Sequence, residues 1–426
     1  MTDQVVLRSE RWVDVVSGSV ESPAAIVVDG PRIVSVDGSE PSTAATTIDL
    51  GDMTLLPGLM DMEVNLLLGG PNTASPVRRA VHGVQDDPVF RTLRATVNAR
   101  TTLLAGFTTV RNLGLMVKTG GYLLDVALGQ SIENGWVVGP RVVPAAHAIT
   151  PTGGHLDPTM FQRFAPNVLP LSVEEGIANG VPEVRAAVRY QLKHGAQVIK
   201  ISASGGVMSH SGPAGAQQYS DEELAAIVDE AHRAGVRVAA HAHGDEAIRA
   251  CIGAGVDCIE HGSLASDDTL ALMFDRGTFL VPTSYLSEGF DISHAAPELQ
   301  AKAAEVFPRA RRALSKAINA GVRIACGTDA PAVPHGKNAM ELWAMVDRGM
   351  TPMQAIRAAT MTSAELIDRE HELGQLAPGY LADIIAVPND PAMDIDVMQD
   401  VRFVMKNGIV HARPEIGGRL SPTKSR

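Results

Sequence analysis

Residues 237–262 read RVAAHAHGDEAIRACIGAGVDCIEHG, and this stretch decides the fold. Two apolar runs, each short enough for a buried strand, end in His241, His243 and His261, and a helix-like segment lies between the runs. A strand–helix–strand unit brings both histidine-bearing ends to one edge of a parallel sheet. A single buried histidine is usually a hydrogen-bonded core residue, but three together favour a metal site, because neutral imidazole is a common zinc ligand.

The overall composition is that of an ordinary globular protein. The chain has 426 residues, 45% of them hydrophobic, which is enough for one large domain and a smaller one. Its apolar runs are shorter than the ~18 residues that would suggest a membrane span, and its start has no apolar signal region. A net charge of −12 without an extended basic cluster argues against nucleic acid as a partner. We therefore expect a cytoplasmic protein without a membrane or nucleic-acid partner.

The three cysteines also predict a reducing, cytoplasmic environment. Cys251, Cys258 and Cys326 form no CxxC pair and lie in apolar contexts. Such residues are predicted to be buried, reduced thiols rather than disulfides or zinc ligands.

From residue 55 onward, β-like runs alternate with helical patterns. There are eight such runs, at 55–64, 107–113, 142–146, 198–203, 236–242, 258–261, 279–283 and 322–326. Eight strands with intervening helices predict an α/β protein with a (β/α)₈ TIM-type barrel. One helix is marked by a capping box from Ser220 to Glu223 and by Gly235 after its end, and another begins at Thr351-Pro352.

Both ends of the chain have the pattern of short strands separated by turns. The C-terminal part includes a Lys406-Asn407-Gly408 hairpin signal. We predict that residues 1–55 and 369–416 form one composite β-sandwich-like domain, that 56–368 form the barrel, and that 417–426 are a disordered tail.

Further ionisable residues lie at the ends of other predicted strands. Lys200 lies in VIKISASGG, Asp329 in GTDAP, and Glu63 in PGLMDMEVN. Other segments along the chain are GFTTVRNLG, GPRVVPAAHAITPTGGH, AAHAHG, IEHG, VPT and LGQLAPGYLADIIAV. With these segments, which occur in the family's order, the chain resembles the amidohydrolase superfamily. Within the superfamily, the chain is most similar to the imidazolonepropionase-like and Xaa-Pro dipeptidase-like peptidase branch.

The resemblance implies a role for each matching residue. His241 and His261 would be metal ligands, and Asp329 would be both a ligand and the proton shuttle. Lys200 would be the lysine that this family often carboxylates to bridge two metals. The chemistry implied is attack of a metal-activated water on a carbonyl, with a carboxylate passing the water proton to the leaving amine.

One family motif is altered in this chain. The first barrel strand of the family normally ends in His-x-His, and here Glu63 and Asn65 occupy those positions. Glutamate still ligates cations, but asparagine is a weak donor, so we expect one divalent ion, zinc by preference, in place of two. We hypothesise that Lys200 is an ammonium paired with Glu63 in the place of the missing metal. The alternative is a carboxylated Lys200 with Glu63 as a ligand of a second ion.

The remaining candidates are polar residues on loops and strand ends. Tyr219 precedes a helix and is predicted to be catalytic, because a phenol there could polarise a carbonyl. Substrate binding is predicted for five residues, with bracing of their loop as the alternative for the first two: His147, His155, His210, His243 and Asn65. Arg111 and Asn112 are predicted to be structural.

The leading functional hypothesis is hydrolysis of an amide or peptide C–N bond in a specialised substrate. Long segments follow the first and third predicted strands, where a barrel builds its substrate-binding face. The chain also resembles the amidohydrolases of bottromycin-type natural product pathways, which remove a follower peptide from a modified ribosomal precursor. Two alternatives stay open: a non-catalytic binding protein on the same scaffold, and a heterocycle deaminase, for which the glutamate expected on the fifth strand is available only as Glu246, beyond the strand and in the predicted helix. A homo-oligomer is compatible with the sequence.

Overall fold

The structure is a computed structural model that describes residues 4–36, 45–69, 86–160, 169–210, 212–413 and 421–422. Tertiary contacts divide the chain into two units. Unit 1 contains Met1–Asp61, Arg100–Thr109 and Gly336–Arg426, and unit 2 contains Met62–Ala99 and Val110–His335. The domain boundaries at 55/56 and 368/369 stay a prediction. The predicted tail, 417–426, lies outside the described residues except for the short strand Ser421–Pro422.

The described residues form eighteen strands and eleven α-helices. The strands are β1 Val5–Ser9, β2 Arg11–Asp14, β3 Ser19–Glu21, β4 Ala24–Asp29, β5 Arg32–Ser35, β6 Thr46–Asp49, β7 Thr54–Pro57, β8 Leu59–Val64, β9 Phe107–Asn112, β10 Arg141–Pro144, β11 Ile199–Ser202, β12 Val238–Ala242, β13 Cys258–His261, β14 Phe279–Val281, β15 Ile384–Val387, β16 Phe403–Lys406, β17 Ile409–Arg413 and β18 Ser421–Pro422. The helices are α1 Pro88–Leu104, α2 Leu124–Glu133, α3 Gly180–Lys193, α4 Asp221–Arg233, α5 Asp245–Ala254, α6 Asp267–Arg276, α7 Leu286–Gly289, α8 Pro297–Asn319, α9 Met340–Asp347, α10 Pro352–Ala358 and α11 Met361–Leu366. None of these helices combines the length and the apolar character needed to cross a membrane.

Unit 1 is built on two β-sheets. One has the order β5-β4-β1-β6, and the other, β18-β17-β16-β15-β7-β2-β3, contains strands from both ends of the chain. Alternating apolar residues of these strands form one buried core, in which Leu7, Ile26, Leu55, Ile384 and Phe403 are completely or almost completely inaccessible to solvent. The predicted hairpin is confirmed, because β16 and β17 are joined through Asn407 and Gly408, both with positive φ.

The first predicted barrel strand, 55–64, is in fact two strands. β7 pairs with β15 in the mixed sheet, whereas β8 belongs to a separate sheet with β9 and β10. The chain changes sheets at Gly58, where a Cβ atom would lie 2.2 Å from Thr108 Oγ1. Only glycine permits this close approach, and an unbroken apolar run gives no sign of such a switch in the sequence.

Unit 2 contains the parallel strands that were predicted to form the barrel. They occur as two sheets, β10-β9-β8 and β11-β12-β13-β14, and isolated parallel bridges continue the order from Ile149 to Ile201 and from Leu280 to Ile324. Another parallel bridge joins Val64 to Ala330. The strand order is therefore that of a (β/α)₈ barrel, with some junctions made by single bridges instead of continuous ladders.

The eighth predicted strand, 322–326, does not form a continuous ladder with its neighbours. It pairs through individual hydrogen bonds, from Leu280 N to Arg323 O on one side and from Met62 N to Cys326 O on the other. Asp329, just beyond it, has a φ of +55°, which ends any extended conformation.

The predicted helix boundaries and the predicted state of the cysteines are confirmed. Ser220 caps α4 in a reciprocal box with Glu223, and Gly235 follows the helix with a φ of +72°. Thr351 and Gln354 form the same box at α10. All three cysteines are buried free thiols.

Candidate metal centre and active site

Three histidines from two neighbouring strands meet at one point. His241 lies near the end of β12, His243 just beyond it, and His261 ends β13, whose register places it beside Ala242. One ring nitrogen of each histidine lies within 4.8 Å of the others, and all three side chains are buried. His243, predicted to bind substrate, is therefore placed with the two predicted ligands, because residues 241 and 243 face the same side of the chain.

Two of these imidazole rings contact a side-chain hydroxyl group through their Nδ1 atoms. His261 Nδ1 lies 2.7 Å from Thr283 Oγ1, which donates its own proton to Pro282 O. Thr283 must then accept from His261 Nδ1–H, which leaves the lone pair on Nε2. His243 Nδ1 lies 2.9 Å from Ser263 Oγ. Such hydroxyl contacts orient the imidazoles that bind metals.

The electrostatics favour neutral imidazoles. Burial is the main cause that lowers the pKa of His261 to about 3, and the Lys200 ammonium lowers it further. Burial also holds the pKa of His241 and of His243 well below the usual range, with the neighbouring imidazoles adding to the effect. His241 Nε2 is buried and has no hydrogen-bond partner in the part of the chain that is described. Neutral rings with lone pairs directed to one point fit a divalent cation.

The backbone is strained at this centre. His261 has a φ of +69°, Thr283 of +46° and Asp329 of +55°, although none of the three is glycine. Left-handed backbone at such residues costs on the order of 1 kcal/mol each and is often found at functional sites. All three residues lie at the ends of strands or just beyond them.

A buried ion pair lies next to the histidines. Lys200 Nζ, on β11, is 3.1 Å from Glu63 Oε1, on β8, and both side chains are at most 4% exposed. The hypothesised pairing of the two side chains is present. Glu63 Oε1 is also 3.8 Å from His261 Nε2, so the pair adjoins the three histidines directly.

Asp329 and Asn65 complete the polar part of the site. Asp329 N donates to Glu63 O over 2.7 Å, and Asn65 Nδ2 lies 3.5 Å from Asp329 Oδ1. The buried Asn65 Oδ1 has no hydrogen-bond partner among the described residues. It is therefore available to a ligand.

All these residues line one pocket. They are His155, His241, His243, His261, Lys200, Glu63, Asn65 and Asp329. The His155 ring centroid lies 4.1 Å from that of His241, so the predicted loop histidine does reach the site. Most of the remaining wall is apolar and includes Met116, Leu156, Met160, Val207, Phe290 and Phe307. The pocket combines a compact polar centre with a large hydrophobic surface, as small-molecule sites usually do.

Three predicted site residues are not brought to this pocket. Tyr219 is buried, its hydroxyl donates to Ala178 O, and burial raises its pKa above the usual range. His147 Nε2 lies 2.8 Å from Thr119 Oγ1, and burial lowers the pKa of His147 to about 4. His210 pairs with Glu298. Strand periodicity does not determine where a loop side chain points, and the catalytic role of Tyr219 and the substrate-binding roles of His147 and His210 stay predictions.

Arg111 and Asn112 have the structural contacts that were predicted. Arg111 Nη2 lies 2.8 Å from Glu260 Oε1, and its Nε donates to Met62 O. Asn112 Nδ2 donates to Asp125 Oδ2.

Two charged residues that line the pocket were missed by the sequence analysis. Arg91 and Arg94, on the first turns of α1, also line the pocket. Their helix follows a long segment without strand character, so no strand-end signal marks them. Two arginines three residues apart are the only hint of them in the sequence.

Comparisons with known proteins identify the same family as the sequence motifs. The sequence profile of the amidohydrolase family matches residues 54–411. Ochratoxinase of Aspergillus niger is 36% identical over 419 residues, which cover 92% of this chain and 84% of that protein. A crystal structure of a Xaa-Pro dipeptidase with methionine bound in its active site is 37% identical, with a TM-score of 0.87 over 96% of this chain and 99% of that one. A prolidase complexed with N-methylphosphonate-L-proline is 32% identical, with a TM-score of 0.85 over the same shares of the two chains.

Proposed function

This chain belongs to the amidohydrolase family, and from that membership we propose that it is a metal-dependent enzyme that hydrolyses the C–N bond of a hydrophobic amide or peptide. The observation that carries the proposal is the group of three buried, neutral histidines that share a pocket with Asp329. The similarity to an ochratoxinase and to a Xaa-Pro dipeptidase supports it.

The donor set fits one divalent ion, for which we favour Zn²⁺. His241, His243 and His261 would hold it, with Asp329 as a further ligand. When bound, such an ion supplies Lewis acidity and makes a water molecule more acidic. A second ion is disfavoured because Lys200 already engages Glu63, and because the amide of Asn65 is a weak donor.

The residues of the chain then have distinct tasks. Asp329 takes the proton of the attacking water and passes it to the leaving nitrogen, which a nearby carboxylate does well. His155, whose ring lies next to that of His241, would orient the substrate carbonyl. The apolar wall holds the hydrophobic part of the substrate and excludes water, which strengthens electrostatic interactions in the site.

Substrate screening on metal-loaded protein tests the proposal. We would measure hydrolysis of N-acyl amino acids, dipeptides and C-terminally extended peptides, the last group including thiazoline-containing peptides that mimic a ribosomal precursor with its follower. We expect turnover of at least one class, and the Asp329→Asn variant should lose about 10³-fold in kcat while remaining folded. Metal bound without turnover of any amide would favour the binding-protein alternative. Ammonia release from a heterocycle would favour a deaminase.

Elemental analysis and intact-mass measurement test the metal count. We expect one equivalent of metal per chain and an unmodified Lys200. Two equivalents together with a carbamate on Lys200 would contradict the single-ion proposal.

A further inference from the structure

Helix α1 has an exposed side that is mainly apolar. Its residues Val89, Phe90, Leu93 and Val97 are between 48% and 69% exposed. Those at positions 89, 93 and 97 are spaced about one turn apart, so they form a stripe along the helix. The solvent side of a helix normally carries polar and charged residues, and an apolar stripe in that place marks a contact surface.

Charged residues lie at the two ends of this stripe. Asp87 is exposed just before the first residue of the helix, and its Oδ1 accepts from Phe90 N. Arg100 is exposed about one turn after Val97, and within α1, all of whose residues are described, it is the only exposed residue with a charge. The stripe therefore has the apolar centre and the polar rim that are usual in protein–protein interfaces.

The stripe is complementary to itself. When a second α1 lies antiparallel to the first with the two copies of Leu93 face to face, Val89 faces Val97 of the second copy, because both are four positions from Leu93. The same register brings Asp87 of each copy next to Arg100 of the other. A parallel pair would instead bring like charges together, which opposes association.

We propose that two copies of this chain associate through their α1 helices, antiparallel and with Leu93 at the two-fold axis. A two-fold contact requires a surface that complements itself, and this stripe does so in both its apolar residues and its charges. An anionic lipid surface is a poorer occupant, because the chain has a net charge of −12 and Asp87 lies at one end of the stripe. The proposal does not depend on the hydrolytic chemistry.

The mass of the protein in solution, measured by light scattering and sedimentation at micromolar concentration, tests the association. We expect Leu93→Asp to weaken it at least about 100-fold, because two carboxylates then meet at the axis. Phe274→Asp is the matched control, since Phe274 is an exposed apolar residue on α6, and it should leave the association unchanged. Both replaced side chains are more than half exposed, and circular dichroism checks that the variants are folded.

Disulfide cross-linking with diamide tests the register. The three native cysteines are buried free thiols, so an introduced cysteine supplies the accessible thiol. Leu93→Cys should form a covalent dimer with itself, and Phe274→Cys should not. Val89→Cys and Val97→Cys should cross-link efficiently only when the two variants are mixed. In either variant alone, the two thiols are about 12 Å apart along the helix axes, whereas a disulfide needs Cα atoms within about 7 Å.

Four results would overturn the proposal. They are a monomeric wild-type protein, an association that Leu93→Asp leaves unchanged, an equal loss in Phe274→Asp, and self-cross-linking of Val89→Cys as efficient as that of Leu93→Cys. A wild-type assembly larger than a dimer supports it when Leu93→Asp divides that assembly into smaller species. Binding of a monomeric wild-type protein to phosphatidylcholine vesicles, lost in Leu93→Asp, would identify a lipid surface as the occupant instead.

Discussion

The proposed metal centre depends on histidines whose two ring nitrogens have different surroundings. In His243 and His261, a hydroxyl group contacts Nδ1, so Nε2 remains for a ligand. His243 therefore has the same kind of hydroxyl contact at Nδ1 as His261, although the sequence pattern predicts that it binds substrate.

Replacing His243 by Asn should lower the affinity for zinc by about 100-fold or more. The reason is that this variant removes a metal ligand, whereas loss of a group that only orients a ligand has a smaller effect. Competition with a chromophoric chelator measures this affinity. His210→Asn is the control, since His210 is partly exposed and pairs with Glu298. Equal zinc affinities for the two variants would contradict a ligand role for His243.

Strand ends were the part of the site that the sequence could predict. Lys200, His241, His261 and Asp329 follow apolar runs of parallel strands, whose carboxyl ends meet at one edge, and the structure brings all four to one pocket. Tyr219 lies on a loop, where no periodicity determines the direction of a side chain. Its contact with Ala178 O depends on tertiary packing and could not be predicted.

At the scale of elements, the Lys200–Glu63 pair joins β11 to β8. Removing one partner leaves an uncompensated buried charge, so Lys200→Met or Glu63→Gln alone should lower the free energy of unfolding of the metal-free protein by about 3–5 kcal/mol. The double variant should lose much less than the sum. Denaturant unfolding of all four proteins measures the coupling.

A surface ion pair is the control for this double-mutant cycle. Arg233 and Asp229 lie one turn apart on α4 and are well exposed, so solvent screens their interaction and little coupling is expected. Additive losses at Lys200 and Glu63 would show that the two side chains do not depend on each other.

The cap of α4 is another prediction at this scale. Ser220→Ala should lower the free energy of unfolding by about 1 kcal/mol, because Ser220 Oγ accepts from Glu223 N at the helix start. Thermal unfolding measures it. Ser131→Ala on α2 replaces a partly exposed serine inside a helix, whose hydroxyl bonds only to Ala127 O one turn back, and should change stability little. If Ser220→Ala and Ser131→Ala lose the same free energy of unfolding, the capping hydrogen bond of Ser220 does not stabilise the helix.

For the whole molecule, acid should weaken the folded state through its buried histidines. Burial lowers the pKa of His147 to about 4, whereas an unfolded histidine titrates near 6.5. Between these values the unfolded chain binds a proton that the folded chain does not, so stability is lost as the pH falls below about 6.5. The contribution of one such histidine reaches about 1.4 kcal/mol per pH unit.

The difference between the wild-type protein and His147→Gln isolates this contribution. Urea unfolding of both metal-free proteins from neutral pH to pH 4.5 should show a shallower pH dependence in the variant. Asp125, whose pKa is raised to about 6 by burial, titrates in both proteins and cancels in the difference. Parallel pH profiles would contradict the prediction.

The order of strands could be predicted from the sequence, but their grouping into sheets could not. Apolar runs separated by helical patterns predicted the parallel series from β8 to β14, which the structure contains in that order. The separation of β7 from β8 depends on one close contact, between Gly58 and Thr108, and a contact between residues 50 positions apart leaves no periodic signal.

The contact between Lys200 and Glu63 also bears on the evolution of the site. Replacing Glu63 by a histidine would remove the buried counter-ion of Lys200. A chain with that single substitution is expected to be destabilised, so substitutions at positions 63 and 200 should be epistatic. Substitutions in the apolar pocket wall leave this ion pair intact, and selection can therefore change substrate preference there at a smaller cost in stability.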